Sequence, residues 1–282
     1  MEKVALKARA SRAVNTRKRS LFTMDAICVP AYTVSAIIYD HMMREVDYKA
    51  WCKYILLLMK MAGNRFQSSK LRGKKLCELG CGTGNLSLLL AQAGFDVTGV
   101  DSSVNMLDVA RGKKIRAGTS RPLFVNHDMT SYRSSEAFEA AVCVYDSLNY
   151  LPTRSALKSF FSNVYSNLKP GGVLVFDASL ESNSLGEAAT FKQRGKYKSM
   201  VYERQSSYNS SEKIHTTYVR VAVGSSISEE VHREYVYTLG TLRRLFNQAG
   251  FVERFAASDF TMIEADENSE RVHFVLVRPD HD

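Results

Sequence analysis

A chain of 282 residues, 45% of them hydrophobic, is long enough to bury a full core and fits one large domain or one domain carrying an insertion. No apolar run approaches the roughly 20 residues that a membrane helix needs, and no signal-type apolar segment follows the start, so a soluble cytoplasmic protein without membrane contact is expected. Its five cysteines are an odd number without C-x-x-C or His/Cys ligand spacing, which argues against a disulfide framework and against a metal site.

The formal charge of +9 is unevenly spread: residues 1–20 hold seven Lys and Arg against Glu2, a net of +6, leaving only +3 for the other 262 residues. A basic end on a nearly neutral body reads as a flexible solvated tail, assigned here to residues 1–30. Two helical stretches follow, Thr33 to Met43 and Asp47 to about Ala62. The second presents Trp51, Tyr54, Ile55 and Leu58 at i, i+3, i+4 and i+7, a core-facing stripe.

Lys75 to Asp101 reads as strand, glycine turn, helix and strand. The first apolar run ends in Gly80, Gly82 and Gly84, the helix puts Leu86, Leu89, Leu90 and Ala93 on one face, and the strand Val97 to Val100 stops on Asp101. Glycines let a ligand approach the backbone, the helix start favours an anionic group, and an acid about twenty residues on is placed to hold a ribose diol. The pattern asks for a nucleoside with a negative end. It is not the dinucleotide fingerprint G-x-G-x-x-G, whose third glycine would fall at Asn85.

The run E-L-G-C-G-T-G, with Glu78 two residues before the first glycine, resembles the first motif of class I S-adenosylmethionine-dependent methyltransferases. The following D-S-S-V-N-M-L is similar to that family's acid-x-S-x-x-M-L. The resemblance implies that Glu78, Gly80, Cys81, Gly82 and Gly84 cradle the methionine part of S-adenosylmethionine. It places Asp101 on the ribose and Ser102 and Met106 along the adenine, with S-adenosylhomocysteine as product. Upstream, Y-D-H-M-M-R-E-V-D-Y-K-A-W resembles the N-terminal cap of a small-molecule subset, in which an early tyrosine, here Tyr39, faces the site; core packing is the other reading.

A helix from Ser103 to about Gly118 leads to a strand Pro122 to Asn126 that ends in His127-Asp128-Met129. By the same resemblance Asp128 meets the adenine amino group and Met129 flanks the ring, although an Asp there can also start a turn. The strand Ala140 to Val144 runs into Tyr145-Asp146-Ser147-Leu148-Asn149-Tyr150. Open α/β sheets bind ligands beyond the carboxyl ends of their strands, so Tyr145 and Asp146 should lie where methyl donor and acceptor meet. Asp146 is the candidate to accept a proton or stabilise developing positive charge, or else it caps the loop. A helix from Thr153 buries Leu157, Phe160, Phe161, Val164 and Leu168, and the strand Val173 to Asp177 follows.

Residues 180–237 break the α/β rhythm with three alternating runs, Met200 to Gln205, Ile214 to Val223 and Glu230 to Tyr237. They read as an antiparallel lid inserted between a cap-and-core segment, 31–179, and the end of the core, 238–282. His232 lies in a stretch similar to E-H-x-R-x-Y of the small-molecule subset and is a further catalytic candidate. The expected fold is therefore a Rossmann-like, doubly wound, mostly parallel seven-stranded sheet with an antiparallel β lid. The chain looks most like sugar-amine N,N-dimethyltransferases and glycine N-methyltransferase-like enzymes. That likeness implies methyl transfer to a small amine or hydroxyl acceptor by a monomer or homodimer. Two alternatives stay open: an RNA methyltransferase using the basic tail, and a non-catalytic S-adenosylmethionine-binding protein.

Overall fold

The computed structural model describes residues 20–63, 66 and 71–280. In chain order its elements begin with β1 (Ile27–Cys28), α1 (Tyr39–Met42) and α2 (Tyr48–Met61), then β2 (Lys75–Leu79), α3 (Asn85–Gln92), β3 (Asp96–Asp101), α4 (Val104–Gly112), β4 (Leu123–Asn126) and β5 (Phe138–Cys143). There follow α5 (Arg154–Asn167), β6 (Leu168–Ser179), α6 (Glu181–Leu185), β7 (Lys192–Tyr197), β8 (Met200–Asn209), β9 (Ile214–Val223) and β10 (Ser226–Tyr235). The chain closes on α7 (Leu239–Gln248), β11 (Val252–Ser258) and β12 (Arg271–Val277).

Seven strands form the central sheet in the order β11-β12-β6-β5-β2-β3-β4. β2 to β6 pair in parallel, while β12 is antiparallel to both β6 and β11. The chain winds outward from β2 through β3 and β4, then returns to β5 on the other side. The crevice at this reversal opens beyond the carboxyl ends of β2, β3 and β5. Parallel strands are covered on both faces, so their side chains supply two cores. On β6, Leu174 and Phe176 pack toward Phe161, Phe246 and Phe274, whereas Val173 and Val175 pack toward α2 and α3 through Ile55, Leu58 and Leu90. Asp47 caps α2 by accepting from the Ala50 amide at 2.9 Å, fixing where its buried face, including Trp51, begins.

The second sheet has the order β1-β10-β9-β8-β7, with β7 to β10 antiparallel and β1 parallel to β10. The lid thus has two strands more than the three expected. β7 escapes the alternation test because its sequence K-Q-R-G-K-Y is polar on both faces. Residues 20–30, expected within a flexible tail, instead lie along the lid. The Glu203 carboxylate accepts from the Ser20 hydroxyl and the Leu21 amide, and the Arg220 guanidinium donates to the carbonyls of Leu21 and Met24. Residues 1–19, which carry the basic charge, lie outside the described residues.

α4 ends at Gly112, six residues earlier than expected, because Lys113 turns extended and sends its ammonium to Asp40. β6 starts at Leu168, so K-P-G-G belongs to the strand. Among the described residues no helix is long and apolar enough to cross a membrane, and no three His, Cys, Asp or Glu side chains gather as a metal site.

Candidate active site

β2 ends in a turn held by Asp101 at the tip of β3. One oxygen of Asp101 accepts from the Gly82 amide at 2.8 Å and the other from the Ser103 amide at 2.8 Å. Burial raises the Asp101 pKa, and these two hydrogen bonds oppose the rise. Gly80 has φ +72°, and a Cβ there would fall 2.6 Å from Ser147, so only glycine lets the β5 loop close over the turn. Glu78, buried beneath the turn, accepts from the Ser87 hydroxyl, and burial pushes its pKa up to about 8.

Tyr39, Glu78, Gly80, Cys81, Gly82, Asp101, Ser102, Met106, Asp128, Met129 and Tyr145 all line one cavity of about 370 Å3. Gly84 does not line it: with φ +74° it starts α3 and packs against Phe124. Asp128 starts a turn, accepting from the Thr130 amide at 2.7 Å and hydroxyl at 2.6 Å, while still lining the cavity. The volume falls within the range of small-molecule sites, and a cradle that a Cβ would fill beside a buried carboxylate suits a nucleoside with a methionine tail.

One tie was missed in the sequence. Asp40, next to Tyr39, accepts from the Thr83 hydroxyl at 2.7 Å, the Asn85 amide at 2.9 Å and the Lys113 ammonium at 2.7 Å, latching the N-terminal cap onto the glycine turn. Burial acts to raise the Asp40 pKa, but the bonds from Lys113 and Thr83 outweigh it and hold the group below its usual value.

A second cavity, of about 90 Å3, lies between the central sheet and the lid and holds both Asp146 and His232 in its wall. Tyr32, Tyr39, Tyr145 and Tyr150 line both cavities and so form the partition between them. Tyr145 and Asp146 have φ of +64° and +62°, a left-handed pair that costs about 1–3 kcal/mol per residue and must be held by its surroundings. The hold is Arg271 on β12, which meets both oxygens of Asp146 at 2.5 and 2.8 Å and Asp177 at 2.5 Å, while the Asp146 amide donates to Asp177 at 3.1 Å. The Arg271 guanidinium also lies 5.5 Å from the Trp51 ring and 6.0 Å from the Tyr145 ring.

On β10, Glu230, His232 and Glu234 alternate onto the face turned toward this cavity. Glu230 is fully buried and accepts from the amides of Tyr32, Val34 and Ser35 and from the Ser35 hydroxyl, at 2.5 to 3.0 Å. It also lies 3.3 Å from His232 Nε2, which can donate to the carboxylate, and His232 Nδ1 lies 3.2 Å from the Tyr150 hydroxyl. The Tyr150 and Tyr32 hydroxyls share a hydrogen bond of 2.6 Å. Glu230→Gln replaces one acceptor oxygen by a donor facing backbone amides. It should cost about 1–3 kcal/mol in chemical denaturation. The effect should shrink at acid pH, because the Glu230 pKa is lowered against the cost of burial by His232 and Ser35, and that stabilisation is lost as pH falls through the lowered value.

A Rossmann-like sheet whose glycine turn and strand-tip acid face a cavity at the topological reversal defines a nucleoside-binding α/β enzyme. A sequence model of the methyltransferase domain matches residues 76–172. A putative methyltransferase of Geobacillus sp. (strain WCH70) is 32% identical over 249 residues, spanning 86% of this chain and 98% of its own length. The chain belongs to the S-adenosylmethionine-dependent methyltransferase family. In fold it is similar to an S-adenosylmethionine-dependent methyltransferase from Clostridium acetobutylicum ATCC 824, with a TM-score of 0.71 at 22% identity over 88% of this chain and 99% of that one. It is likewise similar to the sugar N-methyltransferase KedS8 from Streptoalloteichus sp ATCC 53650, with a TM-score of 0.68 at 18% identity over 95% and 99%.

Proposed function

We propose that the protein transfers a methyl group from S-adenosylmethionine to a small-molecule acceptor, an amine or a hydroxyl compound, seated between sheet and lid. The observation that carries this reading is the tyrosine partition: Tyr32, Tyr39, Tyr145 and Tyr150 face both the 370 Å3 cavity and the 90 Å3 cavity. The smaller space suits a metabolite-sized group and is closed over by strands of the lid. The name of the sugar N-methyltransferase KedS8, whose fold is similar along almost the whole chain, supports a small acceptor.

In this reading Asp101 holds the ribose, Ser102 and Met106 lie along the adenine, and Asp128 and Met129 hold its edge and face. The glycine turn and Glu78 shape the methionine end. When bound, S-adenosylmethionine supplies an electrophilic methyl whose bond to sulfur breaks in line with the incoming nucleophile, the electron pair staying on sulfur. The protein's part is orientation, exclusion of water and a cation-tolerant wall. Tyr145 and the other partition tyrosines offer ring faces and oxygens to positive charge. Asp146, paired with Arg271, holds the strained turn that aims Tyr145, and His232 orients Tyr150 and Tyr32.

Calorimetry should show S-adenosylmethionine and S-adenosylhomocysteine binding while NAD does not. Incubation of a cell extract with methyl-labelled S-adenosylmethionine should place label on small molecules. Label on RNA, abolished by deleting residues 1–19, would replace this reading with a nucleic-acid acceptor bound through the basic segment.

A further inference from the structure

We propose that Glu234 is the proton acceptor for an amine bound in the second cavity, and that the enzyme is therefore an N-methyltransferase selecting a small molecule that arrives as an ammonium ion. The inference deepens the methyltransferase reading above and rests on it. Glu234, partly exposed, lines the cavity from β10 and makes no hydrogen bond or ion pair among the described residues. The other carboxylates nearby are engaged: Asp146 and Asp177 by Arg271, Glu230 by Ser35 and the amides of the N-terminal segment. A carboxylate that lines a cavity without a protein partner is open to be completed by a ligand of opposite charge.

Charge decides what that ligand is. The groups facing Glu234 are Asp146, from the loop after β5, Asp177 on β6, Arg271 on β12 and Arg204 on β8, with the hydroxyls of Tyr32 and Tyr150 beside them. His215, opposite on β9, is kept neutral by burial. Setting aside Glu230 and His232, which pair with each other on the same face, the three carboxylates with Glu234 ionised exceed the two guanidiniums by one negative charge. An ammonium ion cancels that excess, an alcohol leaves it, and an anionic acceptor worsens it. Burial and then the Asp146 charge push the Glu234 pKa up to about 8, which suits a group that takes and returns a proton near neutral pH.

In the step, an N–H proton of the ammonium passes to Glu234 and frees the nitrogen pair. That pair forms the N–CH3 bond as the C–S pair remains on sulfur, giving a methylated ammonium ion. Glu234 then releases its proton to water, so one proton leaves per methyl transferred.

The test uses the full chain saturated with S-adenosylhomocysteine and labelled with 13Cδ glutamate, the Glu234 resonance being identified by its loss in Glu234→Gln. Its titration midpoint should lie above pH 7, and 100 mM ethylammonium chloride should lower it by one pH unit or more, while 100 mM ethanol leaves it in place. Ethylammonium affinity should fall at least tenfold in Glu234→Gln and less in Glu234→Asp, with S-adenosylhomocysteine affinity within threefold in both. A midpoint in the ordinary carboxylate range, or equal responses to ethylammonium and ethanol, would overturn the proposal. Failure of S-adenosylhomocysteine to bind the wild type would instead overturn the methyltransferase reading.

Discussion

Arg271→Met should lower the unfolding free energy by about 3–5 kcal/mol at pH 8, which is the cost of stranding buried charge. The guanidinium sits between Asp146 and Asp177, and Asp177 is fully buried. Even with its partner present, burial raises the Asp177 pKa to about 6. Without Arg271 the fully buried Asp177 carboxylate loses the cation that faces it, and its folded-state pKa climbs further. A carboxylate with a raised folded-state pKa makes the folded state bind more protons than the unfolded one. Stability then falls as pH rises, and the deficit should shrink between pH 8 and pH 5. Urea unfolding followed by the single tryptophan, Trp51, whose ring Arg271 covers, measures it directly. Adding Asp146→Asn and Asp177→Asn to the variant should recover most of the loss. A pH-independent deficit below about 1 kcal/mol would mean that water reaches these carboxylates.

The parts of this molecule that a reader of the sequence can find are those whose logic is local. Gly80, Gly82 and Asp101 lie within 22 residues of one another, and the turn, the helix behind it and the next strand follow from glycine freedom and apolar spacing alone. Long-range partners were not legible. Arg271 opens a strand, and nothing local marks its role, because its carboxylates lie 125 and 94 residues away. Residues 20–30 read as tail because the carboxylate that holds Leu21 is 182 residues distant. Glu234 did have a signal: it shares the period-two face of Glu230 and His232. An acidic side chain on a strand defaults to solvent, however, and only the closure of the lid over the sheet turns that face inward.

The turn itself gives the second large effect. Asp101→Ala should leave the chain folded and weaken S-adenosylmethionine binding by about 100-fold to 1000-fold, near 3–4 kcal/mol. Two losses combine in that figure. The carboxylate ties the amides of Gly82 and Ser103, so its removal lets the glycine turn relax before any ligand arrives. In the proposed function it also accepts from the ribose hydroxyls, and charge-assisted bonds of this kind are worth about 1.5–3 kcal/mol each. Asp101→Asn separates the two, since the amide oxygen can keep one backbone tie while its NH2 group opposes the other donor; an intermediate affinity is expected. In the wild type, affinity should also weaken toward acid pH, because burial raises the Asp101 pKa and protonation removes an acceptor. Calorimetric titrations of the three proteins, with denaturation curves on the same samples, decide the matter. Unchanged affinity in a folded Asp101→Ala would place the ribose elsewhere in the cavity and leave Asp101 as a structural tie of the turn.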